Sequence, residues 1–172
     1  TMTNTRFSTI AVAAILGAAP CAFSAEAPAS LAKDRALQEA RANHPRLRVM
    51  DKEGRVTRLV DRQLASGTSP EATAESFRSQ WAAVLNVDPS QFLARGPFAD
   101  GHNVQEMMHD LATGEPKFTG VYYTQTADGV PVYGTRLMVL VRNVDGFPAV
   151  SATADLRDIT GFKAPRNLAA ND

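Results

Sequence analysis

Between Ala74 and Leu85 the apolar residues recur at spacings of three and four: Ala74, Phe77, Trp81, Val84 and Leu85. That spacing lines one side of a helix. Thr68 or Ser69 can cap it. Pro70 sits in the first turn, where a missing N–H does no harm, and Glu71 faces the positive end of the helix dipole. A helix is therefore predicted over Thr68–Val87, with the only tryptophan at the centre of its stripe. Phe77 and Trp81 are predicted to hold it to a sheet, since burying such a side chain contributes about 1.5–3 kcal/mol. Asp88-Pro89 then starts a short helical turn that carries Phe92 and Leu93 to the same core.

From Val104 onward the period becomes two. Strands are predicted at Val104–Leu111, Lys117–Thr126, Val130–Arg142 and Pro148–Leu156. Gly114-Glu115-Pro116, Asp128-Gly129 and Asp145-Gly146 separate them as turns. In the last strand Val150, Ala152, Ala154 and Leu156 fall on one face, and Ser151, Thr153 and Asp155 on the other. Four sequential strands after a long helix predict an α+β fold, with one long helix packed on a four-stranded antiparallel meander. Two lesser elements precede it. A helix over Leu31–Ala42 has a buried face made mostly of alanine and ends at His44-Pro45. A small hairpin over Leu47–Leu64 turns at Asp51-Lys52-Glu53-Gly54, where the glycine suits a left-handed position.

The N-terminal segment reads differently. Met2–Arg6 is short and polar with one positive charge, Ile10–Ala19 is apolar and small, and Ala22-Phe23-Ser24-Ala25 offers a small-residue cleavage site. This is the layout of a secretory signal peptide. Its apolar run is shorter than the about 20 residues of a membrane span. Pro20 fits poorly with lipidation of Cys21. Cleavage after Ser24 or Ala25 removes that cysteine, so the mature chain must be stable in an oxidising compartment by core packing alone. The predicted organisation is a signal peptide over 1–25, a leader helix and small hairpin over 26–67, a principal domain over 68–158 and a flexible tail over 159–172. The expected location is secreted or periplasmic.

Charge narrows the partners. The 172 residues carry 18 basic and 18 acidic side chains, a formal net charge of zero, without a long run of one sign. Nucleic acid and anionic membrane, which need a basic surface, are not expected partners.

Little in the chain points to catalysis. His102, Glu106 and His109 would share a face on a helix, and zinc accepts such ligands. The surrounding residues favour a strand instead, where Glu106 and His109 are expected on opposite faces. No histidine is followed by glutamate, so the zinc-protease motif His-Glu-x-x-His is absent. Gly-x-Ser-x-Gly, the phosphate-binding loop and the dinucleotide fingerprint are absent as well. No catalytic residue, metal ligand or cofactor is predicted.

The densest stretch is Tyr122–Val141, YYTQTADGVPVYGTRLMVLV. Asp128-Gly129 makes the reversal. Pro131 lacks an N–H and Gly134 lies in mid-strand, which predicts an edge or a bulge. Gln125, if buried, must pair both its donor and its acceptor, most simply with backbone at that bulge. Tyr122 and Tyr133 could serve as core residues or as interface anchors.

This stretch resembles the FTP domain, the pro-region module of secreted zinc metallopeptidases of the thermolysin and fungalysin type. Gln125, Asp128, Gly129, Val130, Pro131, Val132, Tyr133 and Gly134 match the family's pattern, and Tyr123 stands in its aromatic strand. Ala127 departs, because a larger residue is usual there. The resemblance covers about Thr68 to Asp158, including the helix and the last strand. It implies a noncatalytic pro-domain that assists folding of a zinc metallopeptidase catalytic domain and holds it inactive. The family places a second pro-module and the catalytic domain after this one. Action is therefore expected in cis if the chain is a fragment, or in trans, on a protease or another partner, if it is a stand-alone module. The resemblance makes Tyr123, Gln125, Asp128, Gly129, Pro131, Tyr133 and Gly134 the candidate motif or partner-contact residues.

Overall fold

The computed structural model describes residues 29–163. The predicted signal peptide with Cys21, and the part of the predicted tail beyond Lys163, lie outside the described residues. The elements in chain order are α1 (Ala29–Asn43), β1 (Arg48–Lys52), β2 (Arg55–Ala65), α2 (Pro70–Leu85), a 3-10 turn (Pro89–Gln91), β3 (Phe92–Leu93), β4 (Val104–His109), β5 (Pro116–Ala127), β6 (Val130–Pro131), β7 (Arg136–Arg142) and β8 (Ala149–Asp155).

All eight strands join one antiparallel sheet in the order β1-β2-β8-β7-β5, with β3, β4 and β6 also pairing β5. The expected single long helix on a four-stranded meander is thereby corrected. The described residues form mostly an eight-stranded sheet with two helices of 15 and 16 residues. The decisive pairing is β2 with β8, through Arg58↔Thr153, Leu59↔Ala152 and Val60↔Ser151. It draws the supposed leader hairpin into the sheet. Local periodicity can show that a strand exists, but not which distant strand it joins.

Helix α2 lies across one face of the sheet. Ser69 Oγ accepts from the Ala72 N–H at 3.1 Å, and Asn86 ends the helix in the left-handed conformation. Its predicted stripe is buried: Ala74, Phe77, Trp81, Val84 and Leu85 meet Leu59, Val121, Leu137, Val139 and Ala152 from the sheet. Phe77 stacks on Trp81 with centroids 5.8 Å apart, and Trp81 Nε1 donates to the Leu64 carbonyl at 2.8 Å. Buried Thr73 donates from Oγ1 to the Phe147 carbonyl at 2.7 Å and fixes the β7–β8 turn to the helix.

Helix α1 packs on α2. Ala36, Leu37 and Ala40 pack against the core, the His44 ring lies 5.1 Å from Trp81, and His44 Nδ1 is 2.9 Å from Asp61 Oδ2. The helix, whose predicted buried face is mostly alanine, is thus tied at its C-terminal end to both α2 and β2.

The expected strand Val130–Arg142 is interrupted. Only Val130 and Pro131 pair as β6, and a tight turn over Val132–Thr135 precedes β7. In β8 the register shifts between Leu140 and Val141 on the partner strand. Ala149, not Val150, therefore joins Ala152 and Ala154 in the helix-facing core, and Val150 goes to the opposite face.

Candidate functional site

The motif hairpin is rooted in the core at Gln125 and exposes Pro131 and Tyr133. Asp128 and Gly129 take φ of 50° and 80°, the left-handed pair that a two-residue hairpin turn requires. Gly134 takes φ of 71° in the turn over Val132–Thr135, so its conformational freedom serves that turn and not a strand bulge.

Gln125 is fully buried. Its Nε2 donates to the Arg157 carbonyl at 2.9 Å and to Gln91 Oε1 at 3.3 Å, and its Oε1 accepts from the Arg157 N–H at 2.8 Å. The side-chain amide therefore pairs with backbone beyond β8, not with backbone at a bulge as expected. Its own N–H donates to Thr135 Oγ1 at 3.2 Å and its carbonyl accepts from Val132 N–H at 2.8 Å. One residue thus joins β5, the 3-10 turn, the exit of β8 and the Val132–Thr135 turn. Beyond this root, Pro131 is exposed and Tyr133 is 100% exposed.

Tyr123 has the opposite fate. It is buried under α2 with Phe92 edge-on to its ring at 6.2 Å. Burial, helped by the nearby Glu75 carboxylate and opposed by Arg78, pushes its hydroxyl up to about 12. The neutral form is favoured in the folded state. Stability from this group is therefore intact below the unfolded value near 10 and is lost as pH rises from there through about 12. Unfolding measured across this range should show that alkaline loss, and Tyr123→Phe should lack this component of it.

The three residues considered for metal do not assemble. His102 stacks on Phe98 at 4.0 Å and pairs through Nδ1 with Asp100. Met108 takes a positive φ of 54°, which breaks strand alternation and leaves His109 Nε2 3.8 Å from Glu106 Oε2. The two were expected on opposite faces. Among the described residues no three His, Cys, Asp or Glu side chains are placed to hold a metal ion. No helix among them is long and apolar enough to cross a membrane.

The sheet face away from α2 carries a feature that the sequence reading missed. Arg46, Arg48, Arg58, Arg62 and Arg142 line a groove of about 730 Å³ whose floor is Val60, Phe118, Leu140 and Val150. None of the five guanidinium groups has an ion pair among the described residues. Asp61 also lines the groove, but its carboxylate is engaged by His44. Ser151 completes the floor. It is 6% exposed, and its Oγ finds no hydrogen-bond partner among the described residues.

No protein-family model matches the chain, and neither a curated protein nor a solved structure matches it. The geometry of the motif hairpin and of the groove therefore carries the functional argument.

The groove left a faint sequence signal. Arg46 and Arg48, and Arg58, Val60 and Arg62, follow a period of two, as residues on one strand face do. Arg142 joins them only because β8 lies between β2 and β7.

Proposed function

We propose that this chain is a noncatalytic, exported pro-domain-like module that binds a secreted thermolysin- or fungalysin-type zinc metallopeptidase, assists its folding and holds it inactive. The observation that carries this reading is the contrast within the motif. Gln125 and Thr135 are buried and hydrogen-bonded, while Tyr133 stands wholly exposed two residues away from Thr135. Core packing accounts for Gln125 and Thr135 and not for Tyr133. A turn rooted this firmly presents an aromatic anchor that loses little conformational freedom on binding. A partner that meets only the folded protease surface stabilises that surface by mass action. The FTP resemblance of Gln125 to Gly134 names the class of partner, and the signal-like N-terminus supports export.

The reading is tested by binding and inhibition with the mature zinc metallopeptidase of the same source. Tyr133→Ala should weaken binding by about 30-fold, the equivalent of about 2 kcal/mol at an aromatic hot spot. Its unfolding midpoint should match the parent chain, because the exposed ring supports no packing. Unchanged affinity on that substitution, with tight binding retained, would move the contact elsewhere. Absence of any binding would remove the proposal.

A further inference from the structure

We infer that the arginine-lined groove on the open sheet face is a docking site for an extended, acidic polypeptide segment. The inference rests on that face alone and not on the reading of the Tyr133 turn. Three observations converge on it. Five guanidinium groups without an ion pair among the described residues surround one groove in a chain whose net charge is zero. The floor between them is apolar. Ser151 Oγ is buried in that floor without a partner, and a buried hydroxyl of this kind is stabilised by gaining one.

The spread of the arginines selects the ligand. Arg48 on β1 and Arg142 on β7 are separated by β2 and β8, three strand spacings or about 14 Å. One small anion cannot meet both. An extended chain sets side chains on the same side about 6.6–6.8 Å apart, so alternate carboxylates can reach successive guanidinium groups while intervening apolar residues meet Val60, Leu140 and Val150. The Ser151 hydroxyl can then donate to a carbonyl or carboxylate of the bound segment.

Single-stranded nucleic acid fits less well, because it uses exposed aromatic platforms. Phe118 is the only aromatic residue in the lining, and the Arg142 guanidinium sits 5.8 Å from its centroid. An anionic bilayer needs an apolar surface that protrudes into it, whereas these apolar residues lie recessed between arginines.

The test titrates the full chain with an eight-residue peptide of alternating glutamate and valine, and with a lysine–valine control. The glutamate peptide should bind, more weakly as salt rises. The Arg48→Ala/Arg142→Ala double variant should lose about tenfold in affinity, since it removes charge-assisted contacts at both sides of the groove. Both side chains are exposed, so its unfolding midpoint should be unchanged. Ser151→Ala should bind about three- to fivefold more weakly and yet unfold at an equal or higher denaturant concentration. A serine with only a structural role would not weaken binding. Equal affinity for the lysine peptide, absence of binding, or an unaffected double variant would overturn the inference. Stronger binding to oligothymidylate or to phosphatidylglycerol vesicles than to the peptide would overturn it in favour of a phosphate ligand.

Discussion

Phe77→Ala is expected to lower the unfolding free energy by about 3–5 kcal/mol, the range for truncating a buried aromatic residue. Phe77 is fully buried, stacks on Trp81 and sits on the α2 face that covers the sheet. Truncation leaves a cavity between the helix and the sheet. It also removes the support for Trp81, whose Nε1–H bond to Leu64 ties the helix to β2. A domain with about 5–15 kcal/mol of stability would lose a large share of it. The measurement is urea unfolding of parent and variant, with a shift in midpoint at unchanged slope. A change below about 1 kcal/mol would show that the α2–sheet interface is not the main core.

Gln125→Leu is expected to cost about 2–4 kcal/mol although it nearly preserves volume and adds apolar character. The substitution leaves the part-buried Arg157 N–H and carbonyl without their partner, and stranding such a polar group costs up to about 1–3 kcal/mol each. The damage should be local first. Hydrogen exchange should show lost protection at Arg157, where the chain leaves β8, and at Val132, whose N–H bonds to the Gln125 carbonyl. A variant as stable as the parent would mean that water or a rearranged neighbour replaces the amide at no cost.

These two residues mark how far the sequence could be read. Phe77 was legible because α2 repeats its apolar residues at helical spacing after a cap at Thr68 or Ser69, and the structure sets the end at Asn86. The Asp128-Gly129 reversal was legible because few other pairs accept two successive left-handed residues. The burial constraint on Gln125 was legible as chemistry, but its partner was not. Arg157 lies 32 positions away, and nothing local announces a backbone contact over that distance.

Non-local pairing accounts for the remaining differences. The Leu47–Leu64 hairpin looked self-contained because its own turn explains its pattern, and only the tertiary pairing of β2 with β8 makes it part of the sheet. The Val130–Arg142 stretch read as one strand because its apolar alternation continues across the Val132–Thr135 turn. There the Thr135 hydroxyl bonds to the Val132 carbonyl at 2.7 Å and competes with strand continuation. The arginine groove stayed hidden for a related reason. Its arginines come from positions 46 to 142, and the overall charge balance masks their gathering on one face.

A pro-domain that assists folding should raise the refolding yield of its protease. The thermolysin-type catalytic domain from the same source would be denatured, then diluted with zinc in the presence or absence of the full chain. Recovered peptidase activity would be read after the chain is removed by limited proteolysis. A clear rise in recovery is expected with the chain, and a smaller rise with Tyr133→Ala. Equal recovery with and without the chain, under conditions where the peptidase alone regains only part of its activity, would contradict it.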